Sequence, residues 1–227
     1  MKLHTLYRWK ENPPGDSAFQ MALDEALFHF TRESGLPVIR YYTWESPALT
    51  FGYSEAHPHS ETEEAVRRYT GGGRVEHGED LTFLLTLPAD TPAARGSAAE
   101  RYRWIHEALK EALGEVGVRL FLEGDAGQHP AGPCFQTPVP SDLMAIGTGE
   151  KIGGGAQRRS RGSVIHQGSI RLARELRTNH APWTALLERK LSEGTESFPE
   201  TAKQKVIDHA EELAATRYRS PEWNHRR

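Results

Sequence analysis

Cysteine occurs once in this chain, at Cys134. A lone thiol can form neither an intramolecular disulfide nor a cysteine-based metal cluster, which leaves it two readings, a small buried hydrophobe or a nucleophile. Long hydrophobic runs are missing as well. No stretch approaches 18 apolar residues and no long apolar segment follows the first basic residue, Lys2, so membrane spanning and secretion are disfavoured. Charge of one predominant sign is also absent: 28 Lys or Arg stand against 31 Asp or Glu, a formal net charge of -3 with the 11 histidines neutral. That balance gives no sign of nucleic-acid binding, although local arginine patches could still take an anion. A single cysteine is consistent with a reducing cytoplasm.

What is present supports a folded enzyme-sized unit. At 227 residues and 37% hydrophobic content there is enough apolar material for a core. A chain of this length buries roughly 70% of the surface its unfolded form exposes. The apolar spacing predicts a first strand near residues 3–9, then a turn and cap at Pro13-Pro14-Gly15-Asp16. A helix follows, in which Ala18, Met21, Ala22, Glu25, Ala26 and Phe30 recur at helical spacing, Leu23 and Leu27 widen the apolar face, and Asp24 and Glu25 are free to face solvent. Strands are predicted over 36–44, 48–53, 81–87, 118–123, 142–146 and 163–172, and helices over 62–68, 98–116, 183–191 and 201–216. The helix at 98–116 carries Tyr102, Ile105, Leu109, Ala112 and Leu113 as a packing stripe. Residues 1–218 read as one domain and 219–227 as a mobile tail. Short strands mixed with a few long helices favour an α+β fold with a mixed, largely antiparallel sheet and flanking helices.

Three segments carry the chemistry. In Thr70-Gly71-Gly72-Gly73-Arg74, successive glycines let backbone approach a ligand, and Arg67, Arg68, Arg74 and His77 flank the turn. Amides and basic side chains there could hold a carboxylate, a phosphate or a polar amide end; the alternative is an exposed glycine turn among solvated charges. The segment has neither the lysine and hydroxyl of a phosphate-binding P-loop nor the spacing of a dinucleotide fingerprint. A second glycine loop, Gly153-Gly154-Gly155-Ala156-Gln157, follows Lys151. It could pass a narrow apolar chain close to backbone while Lys151 reaches a carbonyl or phosphate oxygen, or it could be a hairpin with a solvated lysine. The third is Gly132-Pro133-Cys134-Phe135, 17 residues before Lys151. A thiolate at Cys134 could take an acyl group from a thioester and pass it to an amine, with Lys151 favouring the thiolate and then aiding proton transfer. His77 and His166 are separate candidates for orienting a carbonyl or moving a proton, or are packing histidines.

Together these segments resemble the lipoate-protein ligase A and octanoyltransferase superfamily, which is related in catalytic fold to biotin-protein ligases. The resemblance is carried by Ala22-Leu23-Asp24-Glu25-Ala26-Leu27, by residues 67–78 with Asp80-Leu81-Thr82, by Lys151-Ile152-Gly153-Gly154-Gly155-Ala156-Gln157-Arg158-Arg159 and by His166-Gln167-Gly168-Ser169-Ile170. Within it, Cys134-Phe135 followed by Pro138 and Asp142-Leu143 is similar to the octanoyltransferase branch that uses an acyl-cysteine intermediate. The resemblance implies transfer of an octanoyl or lipoyl group from acyl carrier protein to a lysine of a lipoyl domain, with Cys134 as nucleophile and Lys151 as its support. Arg68, Gly71, Gly72, Gly73, His77, Gly155 and Ala156 would line the acyl and carbonyl site, and Asp142, His166 and Gly168 would support its other wall. A cytoplasmic monomer is implied, without nucleic-acid or membrane partners and without a metal or other cofactor. Three features depart from the pattern: Gly153-Gly154-Gly155-Ala156 replaces a Gly-Ser-Ala or Gly-Ala-Ala form, 142–151 is slightly long, and Arg74 replaces a small residue. The main alternative is an ATP-dependent lipoate-protein ligase working through lipoyl-AMP, which needs ATP and Mg2+ and dispenses with Cys134. A noncatalytic acyl- or carrier-binding module is the third possibility.

Overall fold

Capping chemistry delimits the two longest helices. Asp16 accepts a hydrogen bond from the backbone N–H of Phe19 at 2.8 Å and opens α1 (Ser17–Ser34). Ser97 and Glu100 form a reciprocal capping box at the start of the helix Ala98–Gly114. The structure, a computed structural model, describes residues 1–11, 13–58, 65–124 and 138–226. In chain order it runs β1 (Leu3–Trp9), α1, β2 (Val38–Tyr42), β3 (Ala48–Phe51), β4 (Ala65–Arg67), β5 (Val75–His77), β6 (Asp80–Leu87), α2 (Pro92–Arg95), α3 (Ala98–Gly114) and β7 (Leu120–Leu122). It continues through β8 (Leu143–Ala145), β9 (Lys151–Ser160), β10 (Ser163–Arg171), α4 (Arg174–Thr178), α5 (Ala181–Leu191), β11 (Ser192–Ser197), α6 (Glu200–Leu213), a π-helical turn at Ala214–Tyr218 and α7 (Pro221–Asn224).

Eight strands form the main sheet in the order β11-β1-β2-β6-β10-β9-β8-β7, and β4-β3-β5 form a small second one. The pairs β1–β11 and β1–β2 are parallel and the other five in the main sheet are antiparallel, so the α+β fold with a mixed, largely antiparallel sheet is the one observed. Period-two alternation along β6 explains its burial on both faces. Leu81, Phe83, Leu85 and Leu87 enter a core with Ile105 and Leu109 of α3 and Trp183 and Leu187 of α5. Leu84 enters another with Ala22, Leu23 and Leu27 of α1 and Val206 and Ala210 of α6. Among the described residues no helix is long and apolar enough to cross a membrane.

Four expectations need correction. The second glycine loop is strand β9, whose residues pair with β10 from Gly153↔Ile170 to Ser160↔Ser163 across an Arg161-Gly162 turn in which both residues have positive φ. Glycine lowers strand propensity, but a two-residue turn of this form sets hairpin register and the ladder outweighs the local preference. Of the helix expected over 62–68, Ala65–Arg67 is strand β4, parallel to β3, and 62–64 lie outside the described residues. The tail expected to be mobile packs through 226. Asn224 Oδ1 accepts from the Arg67 N–H at 2.9 Å, the Asn224 carbonyl accepts from Arg67 Nη2 at 2.9 Å, and Trp223 Nε1 donates to the Arg67 carbonyl at 2.9 Å.

Asp24 and Glu25 do not face solvent, since both are buried. Asp24 accepts from Arg40 at 2.7 Å, from Tyr42 at 3.0 Å and from Gln167 at 2.7 Å, and Gln167 Oε1 in turn accepts from Thr70 at 2.7 Å. Glu25 takes hydrogen bonds from Tyr218 at 2.6 Å and from Arg217. A carboxylate on a helix face survives burial when such donors replace its water. Burial still pushes the Asp24 carboxyl up despite these donors. Arg40→Ala should therefore cost about 3–5 kcal/mol, the usual penalty for stranding one partner of a buried ion pair. Urea unfolding measures it, and a loss below about 1 kcal/mol, the level of an exposed pair, would show that Asp24 does not depend on this guanidinium.

Candidate active site

The two glycine segments, far apart in sequence, face one cleft. It is about 670 Å³ counted to its open mouth, and its walls include Gly72, Gly73, Arg74, His77, Lys151, Gly154, Gly155, Ala156 and Gly168. Met21, Val75 and Ala156 supply apolar wall, while Thr50, Thr82, Gln167 and Ser169 supply polar groups.

Arg68 lines the cleft but spends its donors on protein. Nη1 donates to Thr50 Oγ1 at 2.8 Å, and Nη2 to the carbonyls of Gly71 at 3.0 Å and Gly73 at 2.7 Å. Burial lowers its pKa to about 10, so it remains charged at neutral pH and braces the glycine turn. The turn also needs an empty space beside it: a Cβ on Gly52 would lie 1.8 Å from the Gly72 carbonyl oxygen, so only glycine admits that backbone approach. Arg67 points away from the cleft, to the carbonyls of Tyr53 and Asn224.

His77 is held from both ring nitrogens. Nδ1 lies 2.8 Å from Asp80 Oδ2 and Nε2 lies 2.8 Å from Thr50 Oγ1, with the ring stacked on Trp44 at 4.1 Å. Asp80 also accepts from Ser169 at 2.7 Å and Thr82 at 2.9 Å. Burial alone would raise the Asp80 carboxyl, but His77, Ser169 and the Gly78 N–H outweigh it and hold it below the usual carboxylate range. One polar network thus joins Arg68, Thr50, His77, Asp80 and Ser169 along the cleft wall.

On the opposite wall Lys151 opens β9. Its Nζ is 2.7 Å from Asp142 Oδ2, and Asp142 is fully buried. Asp142 follows Ser141, which has φ 72, and accepts from the Val139 N–H at 2.8 Å and the Tyr102 hydroxyl at 2.5 Å. The lysine needs Gly154 as neighbour, because a Cβ there would come within 2.8 Å of Lys151 Cε and 3.0 Å of Nζ. Strand β8 pairs with β9 at Leu143↔Gly153 and Met144↔Lys151, across a register shift. At Gly155 the backbone N–H donates instead to the Tyr102 hydroxyl at 2.8 Å. Such a break in pairing is a common way to aim a side chain at a site.

Of the residues picked from sequence, Arg68, Gly72, Gly73, His77, Lys151, Gly155, Ala156 and Gly168 line the cleft. Gly71 contributes its carbonyl to Arg68, and Asp142 contributes its carboxylate to Lys151. His166 is not itself among the lining residues, but its ring backs Gly155 of the cleft wall, where an added Cβ would lie 2.6 Å from Nε2. It is buried against Phe83, Tyr102 and His106, with neither ring nitrogen hydrogen-bonded. Cys134 lies outside the described residues. Sequence reasoning missed Thr50 and Asp80 as partners of His77, and it took Tyr102 for packing alone. The His77/Asp80 spacing was a usable signal, whereas nothing in a helical stripe distinguishes a tyrosine whose hydroxyl meets a carboxylate.

An ammonium fixed beside a narrow cleft can stabilise negative charge developing on a carbonyl or phosphoryl oxygen, since it is already oriented and partly desolvated. Arg74, 56% exposed at its side chain, adds a second cation nearer solvent.

Residues 16–215 match the family described as the lipoyl protein ligase A/B catalytic domain. The chain is 26% identical over 275 aligned positions to the octanoyltransferase LipM of Bacillus subtilis strain 168, covering 97% of this chain and 98% of that one. It is 28% identical to octanoyltransferase LipM of Geobacillus kaustophilus, over 92% of this chain and 94% of that one. In fold it resembles a bi-partite lipoate protein ligase from Thermoplasma acidophilum, with a TM-score of 0.69, 19% identity and coverage of 99% and 96%.

The histidines behind the site set a pH dependence. Burial lowers the His106 pKa to about 4, and burial with the charges of His106 and Arg101 takes His166 well below its ordinary value. Between about pH 6.5 and the lowered native values the unfolded chain therefore binds protons that the native one refuses, so stability falls on acidification through this window, by up to about 1.4 kcal/mol per pH unit for each histidine. Urea midpoints at pH 7 and pH 5 should show this, and His166→Phe should flatten the dependence. An unchanged slope in that variant would mean that His166 is protonated in the fold.

Proposed function

Because the chain belongs to the lipoyl protein ligase A/B catalytic-domain family and is an enzyme of acyl transfer or ligation, we propose that it joins an octanoyl or lipoyl group to a lysine side chain of a lipoyl-domain protein, with Lys151 holding the reacting carbonyl. The observation that carries this reading is the Lys151 ammonium, clamped 2.7 Å from buried Asp142 on the wall of a cleft that both glycine segments build. Close backbone at Gly72, Gly73, Gly154 and Gly155 suits an unbranched chain, and Met21, Val75 and Ala156 suit its methylenes. Residues 1–218 would form the catalytic unit, with 219–227 an appended segment.

Two energy sources are compatible with that cleft. In the ligase route a free carboxylate attacks the α-phosphorus of ATP, pyrophosphate leaves, and the acyl-adenylate carbonyl is attacked by the acceptor amine as AMP departs. This route draws on described residues alone, with Arg74 and Lys151 as the cations for phosphate and carbonyl oxygens. ATP would enter as a substrate with its magnesium. Among the described residues no three His, Cys, Asp or Glu side chains form a metal cage, and a phosphate-borne magnesium requires only one or two carboxylates.

In the transferase route the Cys134 thiolate attacks the thioester of an octanoyl-carrier protein and the carrier thiolate leaves. The acceptor lysine amine then attacks the acyl-cysteine, forming an amide, losing a proton and restoring the thiol. The names of the LipM relatives, matched along nearly their whole length, support this route. It requires Cys134 beside Lys151.

Intact-mass analysis of a lipoyl domain separates the routes. Octanoyl-carrier protein without ATP should suffice for the transferase, and free octanoate or lipoate with ATP and magnesium for the ligase. Cys134→Ser should abolish carrier-dependent modification together with any acyl-enzyme and leave ATP-dependent modification intact. Lys151→Ala should depress either reaction by about 100- to 1,000-fold, the scale for removing a preorganised oxyanion donor. If neither donor modifies the lipoyl domain, the catalytic reading fails in favour of an acyl- or carrier-binding module.

A further inference from the structure

The Lys151 ammonium lies 2.7 Å from Asp142 Oδ2, so whatever orients Asp142 helps to orient the ammonium. Helix α3 supplies that orientation from behind the sheet. Its Tyr102 hydroxyl donates to Asp142 Oδ1 at 2.5 Å and accepts from the Gly155 N–H at 2.8 Å. One turn further on, the His106 ring packs at a tilt of 38° against the Tyr102 ring, 4.0 Å between centroids, and its Nδ1 lies 2.8 Å from the Ser141 carbonyl. A neutral imidazole can donate that hydrogen bond, which fixes the tautomer with the proton on Nδ1. The pair thus grips both the strained turn, Ser141 at φ 72, and the carboxylate that follows it.

This hydroxyl does two jobs that no aliphatic side chain could do. It ties Asp142 to the backbone of Gly155, a residue of the cleft wall, so the carboxylate and the acyl-facing strand move as one. It also draws charge from Oδ1, which tempers the pull of Asp142 on the lysine. A hydrogen bond between a phenol and a carboxylate is charge-assisted and shorter than a neutral one, in keeping with the separation here.

We propose that Tyr102 is a positioning residue for the acyl-transfer site: by bridging Asp142 and the Gly155 N–H it sets where the Lys151 ammonium meets the substrate carbonyl. The proposal rests on the assignment of Lys151 to the reacting carbonyl made above. It does not depend on which donor supplies the acyl group, because the bridge lies on the lysine side of the cleft.

The test uses the full chain with Tyr102→Phe and, separately, with 3-fluorotyrosine at position 102, which keeps the hydroxyl and makes it a stronger donor. The pH dependence of Lys151 modification by acetic anhydride, followed by peptide mass spectrometry, reports the lysine pKa without needing turnover. Acylation of a lipoyl domain, with whichever donor the wild type accepts, gives kcat and KM. In Tyr102→Phe the Lys151 pKa should rise and kcat should fall about tenfold, the worth of one hydrogen bond to a charged group, with KM for the lipoyl domain within twofold. With fluorotyrosine the lysine pKa should move down and kcat should stay near wild type.

A Phe variant with wild-type kcat and an unmoved lysine titration would overturn the proposal. So would a variant that melts earlier yet titrates normally at Lys151, because that is what a packing role alone produces. If Tyr102→Phe fails to fold, the fluorotyrosine protein still decides, and an unmoved lysine pKa there has the same negative meaning. Failure of the wild type to acylate with any donor would instead sink the functional reading and leave the Tyr102–Asp142–Lys151 coupling measurable.

Discussion

A fully buried carboxylate, Asp142, is the constraint around which the site is arranged. It takes hydrogen bonds from the Val139 N–H and the Tyr102 hydroxyl and pairs with the ammonium of Lys151. A buried anion with these partners has few alternative positions, since moving it would strand its charge away from water. The lysine is therefore held at the start of β9, against Gly154, in the one direction that faces the cleft. The departure of β8 from β9 makes room for this arrangement, and helix α3 closes it from the other side.

The facing wall follows the same logic with different groups. Arg68 ties the carbonyls of Gly71 and Gly73 to Thr50, Thr50 meets His77, and His77 meets Asp80, which also collects Ser169 from β10. A second buried network, Asp24 with Arg40, Tyr42 and Gln167, joins α1 to the sheet beneath the cleft floor, where Gln167 is itself a lining residue. The rigid parts are thus polar and internally satisfied, and the space between them is left to small side chains. That division suits a site which must exclude water from a carbonyl while admitting a thin hydrocarbon.

Much of this was legible in the chain. The period of α1 and α3, the cap at Asp16 and the runs at 3–9 and 81–87 announced elements that the structure contains, the strands and α3 with bounds shifted by at most two residues. The glycine segments at 71–73 and 153–155 were recognisable as places of close backbone approach, and both line the cleft or brace it. The readings failed where a local preference met a tertiary demand. Glycines at 153–155 suggested a loop, yet the ladder with β10 makes them strand; Ala65–Arg67 suggested helix, yet pairing with β3 makes them strand; the charged tail suggested mobility, yet Arg67 holds it.

The residues by themselves determined which chemistry is available: one lysine and one cysteine in glycine-framed segments, a helical face of fixed period, and an apolar content sufficient for two cores. Those properties follow from covalent identity and local backbone preference, which act over a few residues. Only the tertiary structure decided that Tyr102 meets Asp142 across 40 positions, that Arg68 braces the glycine turn from within the cleft, and that the His166 ring packs against Tyr102 and His106 of α3. Such pairings depend on strand order and on the side of the sheet each helix covers, and these are settled by the sum of many distant contacts that no local window contains.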